Sequence, residues 1–179
     1  MGYQDHVSVV YFNVCSLLPK IDNLRLICAS LYPSFVCVAE TWLSSETDDS
    51  EICIQGYTSI RLDHSRHGSG LVIYVHNLFS FSVLFKESPD FEFLVISCKS
   101  SINSPDFHLA FLYRPPSSNA SLLDILFSTF CTFNPSVFTN FCIIGDFNAN
   151  YLLPSTSSSN KLSCIMSPFS LSQIVSEPT

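Results

Sequence analysis

The sequence predicts a layered fold of the α/β or α+β class. Short apolar runs rich in β-branched and aromatic residues recur along the chain, and turn-forming residues separate them. Only a few segments have apolar residues at helical spacing. The 179 residues suffice for one domain with a sizeable core, so we expect residues 1–179 to form a single domain.

Strands are predicted for the apolar runs, and Gly, Pro, Asn or Asp mark most of their boundaries. The predicted strands are Val7–Asn13, Phe35–Ala39, Tyr57–Leu62, Leu71–Val75, Phe79–Phe85, Phe91–Cys98, Phe107–Tyr113 and Phe141–Ile144. Helical spacing predicts helices over Ile21–Leu31, Leu122–Phe130 and Ser167–Ile174. The low-complexity run Ser155–Asn160 is predicted to be an exposed loop.

Composition limits the environment in which the chain works. Its apolar runs are far shorter than the roughly 20 residues of a membrane span, and residues 1–10 do not resemble a signal peptide. We therefore expect a nuclear or cytoplasmic protein that is not secreted and has no membrane partner. The eight cysteines form no CxxC pair, which favours reduced, buried thiols over a zinc site.

The net charge of −7 argues against a nonspecific nucleic-acid binder, which normally presents a basic surface. It does not exclude a nuclease, because clustered carboxylates can hold a divalent cation that then contacts the phosphate. Charge alone slightly favours a small-molecule substrate or none.

Polar residues follow the C-terminal ends of several predicted strands, where functional sites are often built. They are Asn13, Glu40, Tyr113, Arg114, Asp146 and Asn148. Carboxylates at such positions are costly in a core and natural around a hard cation such as Mg²⁺.

Five segments occur in an order and spacing that resemble those of the endonuclease/exonuclease/phosphatase superfamily. They read YFNVCSLLPKIDNL, VAETWL, GYTSIRLDHSRHGSGLVIYV, FLYRPPSS and IIGDFNAN. In their detailed residue sequence these segments resemble the apurinic-type endonuclease domain of non-LTR retrotransposons. The resemblance implies a four-layer sandwich, in which helices flank two packed mixed β-sheets. It also implies hydrolysis of a DNA phosphodiester with Mg²⁺ or Mn²⁺ as cofactor, and a reverse transcriptase region in the parent polyprotein.

The resemblance further implies a role for each matching residue. Glu40 matches a metal-binding glutamate, and Asn13 an asparagine that organises the metal and the phosphate. Tyr113 matches a tyrosine that contacts the scissile phosphate. Asp146 matches an aspartate that orients or deprotonates the attacking water, and Asn148 an asparagine that bonds a phosphate oxygen.

Two arginines are candidate substrate contacts. Arg61 lies in a segment that is often basic and glycine-bearing in the family, and Arg114 follows Tyr113 directly. Arg114 either contacts a phosphate or pairs with an acidic neighbour.

Each candidate residue also has a structural interpretation. Asn13 could form a turn ahead of a helix, and Glu40 could end a strand facing solvent. Tyr113 could be an ordinary core aromatic. Asp146 and Asn148 could form an Asx turn.

The chain departs from the family after GDFN. The resembling proteins carry a later aspartate and a Ser-Asp-His segment, whereas the five histidines here all precede GDFN. We therefore expect a fragment that lacks the last strands and has impaired or absent activity. Three functions remain open: a truncated DNA endonuclease, a small-molecule phosphoesterase of the same superfamily, and a non-catalytic remnant.

Overall fold

The computed structural model describes residues 7–64, 68–87, 92–101, 104–116, 118, 122–148 and 157–175. Its strands are β1 (Val9–Asn13), β2 (Phe35–Ala39), β3 (Tyr57–Leu62), β4 (Leu71–His76), β5 (Ser80–Glu87), β6 (Glu92–Lys99), β7 (Phe107–Tyr113) and β8 (Phe141–Asp146). Its α-helices are α1 (Ile21–Leu31), α2 (Leu122–Thr132) and α3 (Ser157–Met166). Short 3₁₀ helices occupy Leu18–Lys20, Pro135–Asn140 and Ser167–Phe169.

The strands form two mixed sheets. The first has the order β1-β2-β4-β3 and the second β5-β6-β7-β8. Among these strands only β1–β2 and β7–β8 are parallel pairs. In the chain, α1 connects β1 to β2 and α2 lies between β7 and β8. Parallel pairing places Asn13 beside Ala39 and Tyr113 beside Asp146. The C-terminal ends of each parallel pair therefore lie together at one edge of their sheet.

The largest core cluster lies between the two sheets. Alternate residues of β2, including Phe35 and Cys37, point into it and meet Leu109 and Phe111 of β7. The other residues of β2, Val36 and Val38, belong to a second cluster with α1. Both faces of β2 are thus buried, which explains why its sequence is continuously apolar rather than alternating.

Helices cover the outer faces of both sheets. Leu24 and Cys28 of α1 pack with Val36 and Tyr74 of the first sheet. On the second sheet, α2 contributes Leu126 and Phe130, which pack with Phe93, Val95, Ala110 and Leu112. The layers run helix, sheet, sheet, helix, which confirms the predicted α/β sandwich.

The sequence predicted the strands well and the C-terminal stretch poorly. Each predicted strand is present, with ends that differ by two residues at most among the described residues. Ser155–Asn160 was predicted to be a loop, but residues 157–160 are helical, and residues 155 and 156 lie outside the described residues. The cause is tertiary: Leu162 and Ile165 of α3 pack with Leu123, which outweighs the weak helix propensity of serine.

The predicted helix Ser167–Ile174 is also wrong. Only Ser167–Phe169 is helical, as one 3₁₀ turn. Ser170 has a left-handed φ of 56°, and the N–H of Leu171 donates to the carbonyl of Met166. This arrangement satisfies the last carbonyls of a helix and ends it.

The cysteines match their prediction only in part. All eight thiols are free, and Cys28, Cys37 and Cys98 are buried as expected. The exposed thiols are Cys15, Cys53, Cys131 and Cys164. Apolar neighbours in sequence do not decide burial at a loop or on the outer side of a helix, because the side-chain direction decides it there.

Among the described residues, no helix combines the length and apolar character that crossing a membrane requires.

Gly145 lies where β8 packs closely against β7, and the absence of a side chain there permits the close approach. A Cβ at Gly145 would lie 1.9 Å from the carbonyl oxygen of Leu112, and φ is +144°. We expect Gly145→Ala to cost more than ~4 kcal/mol in free energy of unfolding. The matched control is Gly56→Ala, where φ is +85° and no atom lies within 4 Å, so we expect a cost of about 1–2 kcal/mol. Urea denaturation measures both, and equal losses would refute the steric argument.

Candidate active site

The candidate residues gather at one edge of the sandwich, where both sheets contribute. Asn13 ends β1 and Glu40 directly follows β2 in the first sheet. Tyr113 and Asp146 end β7 and β8 in the second sheet. The packing of the sheets therefore joins two pairs of residues that are far apart in sequence.

Asn13 and Glu40 form the first part of the site. The Asn13 side-chain amide donates to Glu40 Oε1 over 2.8 Å. Asn13 is exposed and Glu40 half-buried, so neither side chain is fully removed from solvent. Because Asn13 pairs with Ala39 and Glu40 is the next residue after Ala39, the sheet itself sets their spacing.

Tyr113 connects this pair to the second sheet. Its hydroxyl donates to Glu40 Oε1 over 2.9 Å, and the residue is only 4% exposed. Burial raises the pKa of Tyr113 well above its usual value, and the bond to Glu40 and the charges of Glu40 and Asp146 add to the rise. Tyr113 therefore keeps its proton at neutral pH and acts as a hydrogen-bond donor.

Asp146 and Asn148 form a tight turn after β8. Asp146 Oδ1 accepts the backbone N–H of Asn148 over 2.9 Å. This bond forms the Asx turn that was the structural alternative to a catalytic role for the two residues. The Asn148 side-chain amide donates to the carbonyl of Arg114 over 2.7 Å. One Asp146 oxygen is thus used by the turn, and the residue is only half-buried. This geometry is compatible with both interpretations.

Arg114 lies under the same turn. Its guanidinium donates to the carbonyls of Phe147, Asn148 and Ser118 at 2.9–3.1 Å, and the residue is 4% exposed. In this arrangement Arg114 fastens the loop after β8. Its predicted contact with substrate stays a prediction.

Arg61 has a comparable role at the loop between β2 and β3. It donates to the carboxylates of Asp49 and Asp63 and to the carbonyls of Ser44 and Thr47. Its side chain is 14% exposed. The described contacts use the guanidinium to hold this loop, and its predicted contact with substrate also stays a prediction.

Strained backbone concentrates at this edge. Residues other than glycine with left-handed φ values include Cys15, Ser16, Glu40, Trp42 and Asn148. Each such residue costs on the order of 1–3 kcal/mol and persists only where surrounding contacts impose it. Parts of the loops after β1, β2 and β8 are thus held in conformations that isolated peptides avoid.

Two residues near Glu40 were missed by the sequence analysis. The Cys15 thiol donates to Glu40 Oε2 over 3.3 Å. The Tyr11 hydroxyl is buried without a hydrogen-bond partner, and burial followed by the charges of Asp146 and Glu40 raises its pKa. Cys15 lies two residues after the candidate residue Asn13, and this closeness in sequence could have indicated that Cys15 lies near the site. Tyr11 resembled any other aromatic residue of a buried strand.

The oxygens of Glu40 and Asn13 fit a hard cation. Mg²⁺ is commonly held by one or two carboxylates while it keeps several waters. Within the described residues no group of three or more His, Cys, Asp or Glu side chains could hold a metal ion. The oxygen donors of Glu40 and Asn13 are of the kind that a hydrated hard cation such as Mg²⁺ accepts.

Comparison with solved structures identifies the fold. Neither a protein-family model nor a curated protein sequence matches this chain. The fold matches the endonuclease domain of TRAS1, a telomere-specific non-LTR retrotransposon, with a TM-score of 0.64 at 14% identity, over 90% of this chain and 71% of that one. It also matches an AP endonuclease from Archaeoglobus fulgidus, with a TM-score of 0.66 at 15% identity, over 91% and 71%.

The human Nocturnin catalytic domain matches as well, with a TM-score of 0.64 at 12% identity, over 86% of this chain and 68% of that one. At such identities the likeness shows the fold. The chain therefore has the fold of the endonuclease/exonuclease/phosphatase superfamily, as its motifs predicted. One solved structure with this fold is the endonuclease domain of a non-LTR retrotransposon.

Two tyrosine-to-phenylalanine variants test the hydrogen bonding of the site. Tyr113→Phe removes a donor to a carboxylate, so we expect it to lower the free energy of unfolding by about 1.5 kcal/mol or more. Tyr11→Phe removes a buried hydroxyl that has no partner, so we expect a loss below about 0.5 kcal/mol or a gain. Denaturant midpoints at constant slope measure both, and a larger loss for Tyr11→Phe would contradict the assignment.

Thiol reactivity tests the contact between Cys15 and Glu40. The hydrogen bond to Glu40 raises the pKa of the exposed Cys15 thiol, and burial and the Glu40 charge contribute further. A raised pKa leaves less thiolate at about pH 8, which slows alkylation. We expect Glu40→Gln to lower this pKa and to speed alkylation of Cys15 by iodoacetamide. Peptide mass mapping measures the rate, and Cys131 on α2 is the internal control whose rate should stay constant.

Proposed function

We propose that this edge of the sandwich is the active site of a metal-dependent phosphodiesterase that nicks DNA. The observation that carries the proposal is the hydrogen-bonded cluster of Asn13, Glu40 and Tyr113 beside Asp146. The cluster contains a carboxylate, neutral hydrogen-bond donors and, beside them, a second carboxylate. Phosphodiester hydrolysis needs these kinds of group together.

Glu40 and Asn13 are proposed to hold Mg²⁺ or Mn²⁺. A bound divalent cation would neutralise charge on the phosphate oxygens and lower the pKa of a bound water. The carboxylate of Glu40 supplies the negative charge, and the amide oxygen of Asn13 a neutral ligand. The bond from the Asn13 amide nitrogen keeps the amide oriented beside the carboxylate.

The other residues are proposed to act on the phosphate and the water. Tyr113 keeps its proton and, after its hydroxyl leaves Glu40 Oε1, can donate to a phosphate oxygen that gains charge. Asn148 can add a neutral donor after its amide leaves the Arg114 carbonyl. Asp146 has one oxygen outside the turn that can orient the attacking water and accept its proton.

DNA is proposed as the substrate because of the motif resemblance and the neighbouring structures. One neighbour is an endonuclease domain of a retrotransposon, one is an AP endonuclease and one was solved with a product DNA hairpin. The net charge of −7 means that contact with the phosphate backbone would depend on the cation and on local cationic groups. We propose a single domain over residues 1–179, and a reverse transcriptase region as a partner in a longer polyprotein.

Plasmid nicking tests the proposal. With Mg²⁺, we expect conversion of supercoiled plasmid to the open-circular form, and none with EDTA. Glu40→Gln removes the cation-binding charge and Asp146→Asn the proton acceptor, so each should lower the rate by about 10²-fold or more. The matched control is Glu46→Gln, which changes an exposed carboxylate in the loop after β2 and should leave the rate unchanged.

Assays with other substrates distinguish the competing functions. Cleavage of bis-p-nitrophenyl phosphate or an inositol phosphate that depends on Glu40, without plasmid nicking, would favour a small-molecule phosphoesterase. A folded chain that binds Mn²⁺ and cleaves none of these substrates would favour a non-catalytic remnant. Nicking that survives both Glu40→Gln and Asp146→Asn would refute the proposed site.

A further inference from the structure

A buried carboxylate at the same edge has no part in the function proposed above. Glu92 is the first residue of β6 and is 2% exposed. It is the only acidic residue among the buried polar side chains of the described residues. A buried carboxylate costs several kcal/mol unless hydrogen bonds compensate for its lost hydration. The hydrogen bonds that compensate for the burial of Glu92 therefore indicate which part of the structure it holds in place.

Glu92 binds the segment that leads into β4 in the other sheet. Both of its carboxylate oxygens accept the backbone N–H of Gly70, each over 2.9 Å. The Ser69 side chain also hydrogen-bonds to Glu92. A side chain at Gly70 would meet Thr41 Oγ1 at 2.4 Å, so this segment lies directly against the chain that follows Glu40.

The Ser69–Gly70 segment in turn holds the backbone at Glu40. The N–H of Thr41 donates to the Gly70 carbonyl over 3.1 Å, and the N–H of Trp42 donates to the Ser69 carbonyl over 2.9 Å. Glu40 and Trp42 both have left-handed φ values of 54°, which residues with a Cβ adopt only when contacts impose it. These two bonds supply such contacts from the Glu92 side.

Glu92 is also connected to the carboxylate of Glu40 through Tyr113. Glu92 is paired with Tyr113 across β6 and β7. Tyr113 donates to Glu40 Oε1. Glu92 thus adjoins both the backbone that carries Glu40 and the tyrosine that binds its side chain.

We propose that Glu92 is a positioning residue that fixes the backbone of Glu40 through Ser69 and Gly70 and so sets the cation-binding geometry of the site. The cation-binding part of this proposal rests on the function proposed above. The backbone part rests on the described contacts alone. Outer contacts of this kind typically change metal affinity by ~10–100-fold when they are removed.

Trp42 provides a readout that needs neither metal nor activity. It is the only tryptophan in the chain, and its backbone N–H makes the last bond in the path from Glu92. We expect Glu92→Leu to shift the emission maximum of Trp42 and to change its quenching by acrylamide. We also expect Mn²⁺ binding, followed by the EPR signal of free Mn²⁺, to weaken by ~10–100-fold.

The control separates positioning from general destabilisation. His108 is another buried polar residue of the second sheet, but it lies near the start of β7, at the end of that strand opposite to Tyr113. His108→Leu changes the buried polar content of the same sheet far from Glu92, so we expect Trp42 emission and Mn²⁺ affinity to stay at their wild-type values whatever the change in melting temperature. Glu92→Gln replaces one acceptor oxygen with a donor, so we expect an intermediate loss of Mn²⁺ affinity of about 3–10-fold.

Each outcome decides the proposal. If Glu92→Leu behaves as His108→Leu does, the proposal is wrong. If Glu92→Leu does not fold, Glu92→Gln decides, and wild-type values in both readouts would overturn it. If the unaltered protein does not bind Mn²⁺, the function proposed above fails, and the Trp42 signal alone still tests whether Glu92 holds the Glu40 backbone.

Discussion

The inner faces of the two sheets pack against each other through one apolar layer, and this contact fixes the relative positions of the groups at the site. Asn13 and Glu40 belong to the first sheet, and Tyr113 and Asp146 to the second. No single loop or helix carries both sets. Their contact depends on the burial of residues such as Phe35 and Phe111 between the sheets. Hydrogen bonds between Tyr113 and Glu40 and between Gly70 and Glu92 then join the sheets at the rim of that layer.

Much of this arrangement could be predicted because burial leaves a strong mark on sequence. The strands β2, β3 and β7 were predicted with the observed ends, and in β2 and β7 a mainly apolar run ends abruptly at a charged residue. The polar residues that follow several strand ends could be named as site candidates, because loops after buried strands often carry functional sites. The order of the five motifs added the fold, which strand prediction alone would not have selected.

The remaining details depend on contacts between residues that are distant in sequence. Tyr113 and Glu40 are 73 residues apart, and no local pattern indicates their hydrogen bond. Glu92 looked like a polar residue at the start of an ordinary strand, although its carboxylate is buried against Gly70. The bonds from Arg114 to the backbone carbonyls of Phe147 and Ser118 also depend on the fold, and its contact with a phosphate stays a prediction. Serine-rich α3 forms because Leu162 and Ile165 find a partner in Leu123.

The two parallel strand pairs place the same kinds of residue at their C-terminal ends. In each pair the first strand ends in a neutral donor, Asn13 or Tyr113, and the second leads to a carboxylate, Glu40 or Asp146. The carboxylates therefore belong to different sheets, so the packing of the two sheets contributes to the gap between them. The thickness of the apolar layer is thus a dimension of the site itself. A change of core volume far from any polar group would alter the distance between the two charges.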